Sequence, residues 1–434
     1  MRRTIQRAGV AMVASALVLT GCGRGGDDDG EKTSADGIKT DIGVTSEPCP
    51  DAVDQEKGCI YLGVISDLTG GFKAVGVPLT AGGAAFWKHV NENGGVGDYE
   101  VDVTTYTKDN KYDPETHAQV YSEIKGDVLA VAQSLGTVAT ETMLKDSDAE
   151  NLVVIPATLG SNWLFEDRVL EIGTSYCGEA MNSVDYGVET WDAKKIAAVH
   201  FPGDYGDDAA VGARIAAEAN GAEFTDIPTG PGADQQEAAV KAVLESQADM
   251  VFVATGPLEL AAVIGGAVQN GFQGKFIGSI PTWNEALLAS PAGPAIEASY
   301  LWATSFPLWD TDSPGFEAMR AANGDQAPNA YYAIGWSGSY VLKAAIEKAI
   351  ENGDLTRAGL LKAATSLTGD IDSQGMLPAG TGNYAAGPND AAVRETLLAS
   401  PKKGAGTGVV DNVDFFVGNT LKNYEYTEAC YLQK

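Results

Sequence analysis

Three short stretches of this 434-residue chain place hydroxyl side chains and small residues directly after an apolar run. Ser66-Asp67-Leu68-Thr69-Gly70-Gly71-Phe72 follows residues 60–65, Ser134-Leu135-Gly136-Thr137 follows 128–132, and Pro156-Ala157-Thr158-Leu159 follows 152–155. Beyond the carboxyl ends of parallel strands, helix N-termini leave backbone N–H groups free. Hydroxyls and free amides together suit a carboxylate. For any one loop, Ser and Thr as simple N-caps explain the pattern equally well; three in succession point to a site.

Other chemistries lack their parts. A phosphate-cradling loop of the Gly-x-x-x-x-Gly-Lys-Ser/Thr type fails, because Gly274-Lys275 is followed by Phe276 and residue 269 is Gln. Gly335-Trp336-Ser337-Gly338 is one residue short of a nucleophile elbow and lies in a helical pattern. Gly94-Gly95-Val96-Gly97 closes a helix rather than joining strand to helix, so it is no dinucleotide fingerprint. The three histidines, His89, His117 and His200, fall on separate elements and read as packing or surface residues. No catalytic residue, metal or cofactor is expected.

The elements that must hold these loops alternate in kind. Runs at 60–65, 101–106, 128–132 and 152–155 have strand character. Between them lie helices, one over about 79–93 that stops at Gly94-Gly95, another starting at Asp113-Pro114. The pattern restarts with strands at 195–200, 250–254 and 276–278 and helices at 207–220, 235–247 and 258–270. A third block carries a strand at 299–305, a long helix at 331–351 and a short one at 356–366. Residues 369–408 read as loop, and 414–417 and 424–426 as strands. The fold class is α/β, two lobes with parallel sheets in succession. With 44% apolar residues the chain has ample core. Acids outnumber bases by 59 to 29, a formal charge of −30, so binding to nucleic acid by charge is excluded.

Residues 1–21 have a basic start (Arg2, Arg3, Arg7) and a short apolar stretch, the marks of a secretory signal. Its ending, Leu19-Thr20-Gly21-Cys22, resembles the lipobox of bacterial lipoproteins, which implies a lipidated Cys22 as the mature N-terminus. Residues 22–55 are expected to be a flexible tether, rich in Gly and Asp at its start. Four further cysteines, Cys49, Cys59, Cys177 and Cys430, allow three disulfide pairings. The turn-rich segment between Cys49 and Cys59 can close locally, which leaves Cys177 with Cys430.

The chain also resembles the branched-chain amino acid type of ABC-importer solute-binding proteins, the type I periplasmic binding proteins. Gly63-Val64-Ile65-Ser66-Asp67-Leu68-Thr69-Gly70 is similar to that family's opening strand and loop, and Asn91-Glu92-Asn93-Gly94-Gly95-Val96 to its first helix end. Asp109-Asn110 with Asp113-Pro114, Ala193-Lys194-Lys195-Ile196-Ala197, Asp204-Tyr205-Gly206 and residues 331–336 follow in the family's order. The resemblance implies two Rossmann-like lobes joined by three crossings, near Tyr176, Tyr300 and Thr368. Lobe 1 is then 56–176 with 300–367, and lobe 2 is 177–299 with 368–434. Cys177 and Cys430 both fall on lobe 2, in keeping with their pairing.

The same resemblance implies that Gly136 and Thr137, with Ala157 and Thr158 or Leu159, hold a carboxylate by hydroxyl and amide donors. Phe72 would cover the ligand, while Ser175 or Tyr176 at the crossing, Tyr205 and Tyr331 line its pocket. Amino-acid binders place an acid after the third strand of lobe 2 to hold the ammonium; here that loop reads Ser279-Ile280-Pro281-Thr282-Trp283-Asn284-Glu285. Trp283 stands nearest that place, with Glu285 beyond it, so an apolar or aromatic acid rivals an amino acid as ligand. The expected protein is a monomeric, lipid-anchored, extracytoplasmic binding protein that hands a small carboxylate to an ABC permease. A ligand-sensing ectodomain of the same fold and a secreted hydrolase are the alternatives.

Overall fold

The computed structural model describes residues 32–33, 37–147, 150–369 and 371–433. The expected signal segment and Cys22 lie outside the described residues. In chain order the first block holds β1 (Lys32–Thr33), β2 (Lys39–Thr40), β3 (Val44–Thr45), β4 (Gly58–Ser66), α1 (Lys73–Glu92), β5 (Tyr99–Asp102), β6 (Thr107–Asp109), α2 (Pro114–Ile124), β7 (Ala130–Ser134), α3 (Thr137–Ser147) and β8 (Val154–Pro156). The second holds α4 (Tyr176–Trp191), β9 (Lys195–His200), α5 (Asp204–Ala219), β10 (Glu223–Pro228), α6 (Glu237–Ser246), β11 (Met250–Ala254), α7 (Pro257–Gln269), β12 (Lys275–Gly278), α8 (Gly293–Ser299) and β13 (Tyr300–Thr304). Then come α9 (Pro314–Asn323), α10 (Ala330–Glu351), β14 (Asp354–Leu355), α11 (Arg357–Ala364), α12 (Pro388–Ala391), β15 (Thr396–Pro401), β16 (Val409–Phe416) and α13 (Asn419–Asn423).

Two large sheets define the two lobes. In the first, β4 pairs in parallel with β5, β6 and β7, β7 pairs with β8, and β3 lies antiparallel on β4. The second runs β10-β9-β11-β12-β13-β15-β16, parallel as far as β13 and antiparallel after it. Val, Ile and Phe fill both faces of the central strands; Met250, Val251, Phe252 and Val253 are wholly buried. Such continuous apolar runs belong to parallel sheets covered on both sides. In lobe 1, α1 packs along α10 on one face, while Tyr121, Ile124, Met143 and Leu144 of α2 and α3 close a separate core on the other. Both predicted disulfides are present, Cys49–Cys59 and Cys177–Cys430.

Several expectations change. Residues 37–55 are part of the fold rather than tether: Thr40 and Val44 are buried, and β2 pairs with both β1 and β14. Helix α1 starts six residues earlier than expected and runs through Pro78. The strand expected to reach 106 stops at Asp102, whose carboxylate accepts the N–H groups of Thr104 (2.7 Å) and Thr105 (2.9 Å) and turns the chain into β6. β13 is hydrogen-bonded into the lobe 2 sheet, so the second crossing follows Thr304 instead of falling near Tyr300. β15 emerges from the stretch expected to be loop, and residues 424–426 form no strand.

Candidate functional site

Helix N-termini converge where the lobes meet. Gly136 and Thr137 open α3, Pro114 opens α2, and Gly203 and Gly256 precede α5 and α7; all of them line one interlobe cleft. The cleft holds about 1040 Å³ including its mouth, and among the described residues no Lys or Arg lines it. The free N–H groups of the helix N-termini are then the groups that favour an anion here. Thr137 is 2% exposed, and its hydroxyl, on the first turn of α3, has no hydrogen-bond partner among the described residues. Buried hydroxyls are ordinarily paired, so this one points to a missing acceptor or donor from outside the chain.

Aromatic rings wall the cleft. Phe72 and Tyr112 lie tilted against each other with ring centroids 4.4 Å apart, and Phe72 meets Phe201 of lobe 2 edge-on at 6.5 Å. The loop before α1 is fixed by Asp67, whose carboxylate accepts from the Phe72 N–H at 2.7 Å. Lys111 and Tyr112 both have left-handed backbones, with φ of 55° and 57°. For side chains of this size such a conformation is strained, and strain of this kind gathers at ligand sites. Glu259 also reaches the cleft, but its carboxylate accepts from the Gly232 N–H at 2.7 Å.

A second cavity opens beside the first and penetrates lobe 1 between the sheet and the helices α1 and α10. It holds about 750 Å³ including the space open to solvent at its mouth. Its walls are Val64, Val75, Leu79, Ile155, Ile172 and Ile334 with small residues between them. Its amide and hydroxyl side chains are already engaged: Gln133 Nε2 donates to Ser66 Oγ (2.7 Å) and Thr80 Oγ1 (2.9 Å), and Ser339 Oγ donates to the Gly335 carbonyl (2.9 Å). Lobe 2 contributes Ile280 and Pro281. Tyr176 on this tunnel and Tyr205 on the cleft are 4.6 Å apart, so a tyrosine pair marks the boundary between the two cavities.

Of the residues expected to bind ligand, Phe72, Gly136, Thr137 and Tyr205 line the cleft, and Ala157, Tyr176 and Tyr331 the tunnel. Tyr331 also ties the lobes, its hydroxyl shared between the carbonyls of Ile280 and Trp283 at 2.9 Å each. Three are placed elsewhere. Ser175 caps α4, accepting from the Gly178 N–H, and pairs with the Tyr426 hydroxyl at 3.0 Å. The Thr158 hydroxyl accepts from Trp163 Nε1 at 3.3 Å. Trp283 is fully buried in lobe 2: it stacks with Tyr300, donates to the Thr407 carbonyl at 3.0 Å, and lines neither cavity. The turn Ile280–Thr282 presents Ile280 to the tunnel and sends the indole inward. Glu285 lines neither cavity. Behind that turn Glu179 is buried, accepting from Ser279 Oγ (2.5 Å) and the Ile280 N–H (3.1 Å), and burial pushes its carboxyl up to about 8.

A serine–histidine–asparagine chain does exist, but it is wired against hydrolysis. Asn110 accepts from the Tyr112 N–H through Oδ1 (2.9 Å), which leaves Nδ2 to donate to His117 Nδ1 (3.0 Å). His117 Nε2–H then donates to Ser134 (3.3 Å), so it cannot take that hydroxyl's proton. All three side chains are fully buried, and burial lowers His117 to about 4.

The sequence profile of the periplasmic binding proteins matches residues 59–405. The chain belongs to the periplasmic binding protein family. Members of this family are solute-binding proteins, and the ABC-importer type has a permease partner. Among solved structures, a fatty acid ABC transporter substrate-binding protein from Thermomonospora curvata superimposes with a TM-score of 0.81 at 28% identity, over 91% of this chain and 98% of that one. A branched-chain amino acid ABC transporter protein from Thermus thermophilus with bound valine gives 0.73 at 19%, over 84% and 98%. A leucine-binding protein from Thermotoga maritima gives 0.68 at 17%, over 82% and 98%. The last two share the fold. No curated protein sequence matches the chain. Among the described residues of this periplasmic binding protein, no helix is long and apolar enough to cross a membrane.

Proposed function

We propose that this protein captures an apolar monocarboxylate, of which a straight-chain fatty acid is the best-fitting class, and delivers it to an ABC permease. The tunnel carries this reading. An apolar wall running from the interlobe cleft into lobe 1 matches an aliphatic tail, and each buried methylene contributes about 0.8 kcal/mol. The carboxylate lies in the cleft at the N-terminus of α3, held by Thr137 and free N–H groups, and the tail passes Tyr176 and Tyr205. Phe72 closes over the head. The absence of Lys and Arg from both linings suits a single negative charge rather than a phosphate. Ile280 and Pro281, the lobe 2 residues on the tunnel, offer an ammonium nothing. Similarity to the Thermomonospora curvata fatty acid protein supports the same class. The protein acts by reversible binding, without catalysis, as a monomer tethered outside the cell through a lipid on Cys22.

Isothermal titration of delipidated protein with palmitate, octanoate, leucine and phenylalanine tests the proposal. Palmitate is expected to bind and Thr137→Val to weaken it about tenfold, the cost of one lost hydrogen bond to a charged group. Binding of leucine with none of palmitate would refute it.

A further inference from the structure

The tunnel follows α1. Val75, Leu79, Gly83 and Trp87 stand one turn apart along its inner face, about 18 Å from first to last at 1.5 Å per residue. Val75 lies three residues beyond Phe72, at the cleft end, and Trp87 lies at the far end.

Glycines at the seam with α10 serve two different purposes. A Cβ on Gly82 would come within 2.0 Å of the Tyr332 carbonyl oxygen, and one on Gly335 within 2.0 Å of that of Leu79. Those two positions need glycine because backbone meets backbone. Gly83 does not. A Cβ there would meet nothing closer than the Gly335 carbonyl oxygen at 3.6 Å and Ser339 Oγ at 3.7 Å, ordinary contacts. Its backbone is helical, and glycine inside a helix is less stable than alanine. Neither packing nor backbone conformation asks for glycine at this place; the space that a larger side chain would occupy is the tunnel. A wall that keeps an unneeded glycine is a wall shaped for something else to lie against it.

We propose that Gly83 is a specificity-determining residue that sets the size of tail the protein accepts, its missing side chain leaving the bore open toward Trp87. This rests on the fatty-acid reading above. The test is isothermal titration of the full, delipidated chain and its Gly83→Leu and Gly83→Ala variants with butyrate, octanoate, laurate and palmitate. Gly83→Leu should weaken palmitate by about tenfold or more while butyrate stays within about twofold of the parent. Gly83→Ala should weaken palmitate more than octanoate, with a thermal midpoint no lower than the parent's. If the leucine variant fails to fold, the alanine series decides alone. Palmitate bound equally by parent and variants overturns this inference and leaves the fatty-acid reading standing. A parent that binds none of these acids overturns both.

Discussion

Trp283 holds its indole between Tyr300 and Trp302 and spends its N–H on the Thr407 carbonyl. Trp283→Ala should therefore cost stability, about 3–5 kcal/mol for a buried tryptophan, and leave ligand affinity of the folded protein nearly unchanged. Denaturant unfolding beside calorimetry separates the two, and a large loss of affinity with normal stability would return the indole to the ligand site. In the sequence this ring is the most prominent group of its loop, yet the inconspicuous Ile280, three residues earlier, is the one that reaches the tunnel. Side-chain type was legible there and direction was not, because a single turn of 3-10 helix decides which residue faces out. Thr137 was legible for the opposite reason: its position directly after β7 fixes it on the first turn of α3 whatever the details of packing.

At the scale of elements, long apolar strands and capped helices were readable from local pattern. Missed were those whose character depends on neighbours. Helix α4 is buried along most of its length although it carries Glu179, Asn182, Ser183 and Asp185, because each of these polar groups is hydrogen-bonded inside. β10 is an edge strand with mostly polar, exposed residues, and β15 sits in a stretch rich in Gly and Pro. The tunnel was invisible because a cavity is set by the distance between α1 and α10, and α1 alone shows only an apolar stripe. The C-terminal segment is an element of this dependent kind. The turn Cys430–Leu432 packs on α5, and the Cys430 N–H donates to Ser161 Oγ (2.7 Å), while the Cys177–Cys430 bridge closes a separation of 253 residues. Replacing both cysteines by serine should cost about 2–5 kcal/mol, read as a lower thermal midpoint. An unchanged midpoint would mean that packing alone holds the segment.

For the molecule as a whole, one buried acid stands where the lobes meet and a second inside lobe 2. Asp208 of α5 accepts from the Ser161 N–H (3.0 Å) in lobe 1 and from the Cys177 N–H (3.2 Å), and burial raises its carboxyl to about 7; Glu179 is raised to about 8. Both hold protons in the folded protein that the unfolded chain has released above its ordinary carboxylate range. Between those limits the native state binds more protons, so stability falls as pH rises. His117 works the other way, but only below its ordinary value of 6.5. The thermal midpoint is thus expected to fall from pH 6.5 to about 8, and Glu179→Gln, which keeps both hydrogen-bonding positions filled, should flatten that decline. A midpoint that rises across the window would refute the protonated state of these acids.

The tunnel lies almost wholly within one lobe, with Ile280 and Pro281 as the other lobe's share. On the fatty-acid reading proposed above, parting the lobes uncovers the carboxylate and leaves the tail sheathed, so such a ligand leaves lengthwise, like a rod drawn from a sleeve. Each methylene drawn into water then costs about 0.8 kcal/mol, roughly a fourfold longer dwell per carbon. For such a ligand, what serves capture becomes a burden at delivery, and a permease receiving the longest chains would have to offer them a second apolar channel end to end with the first.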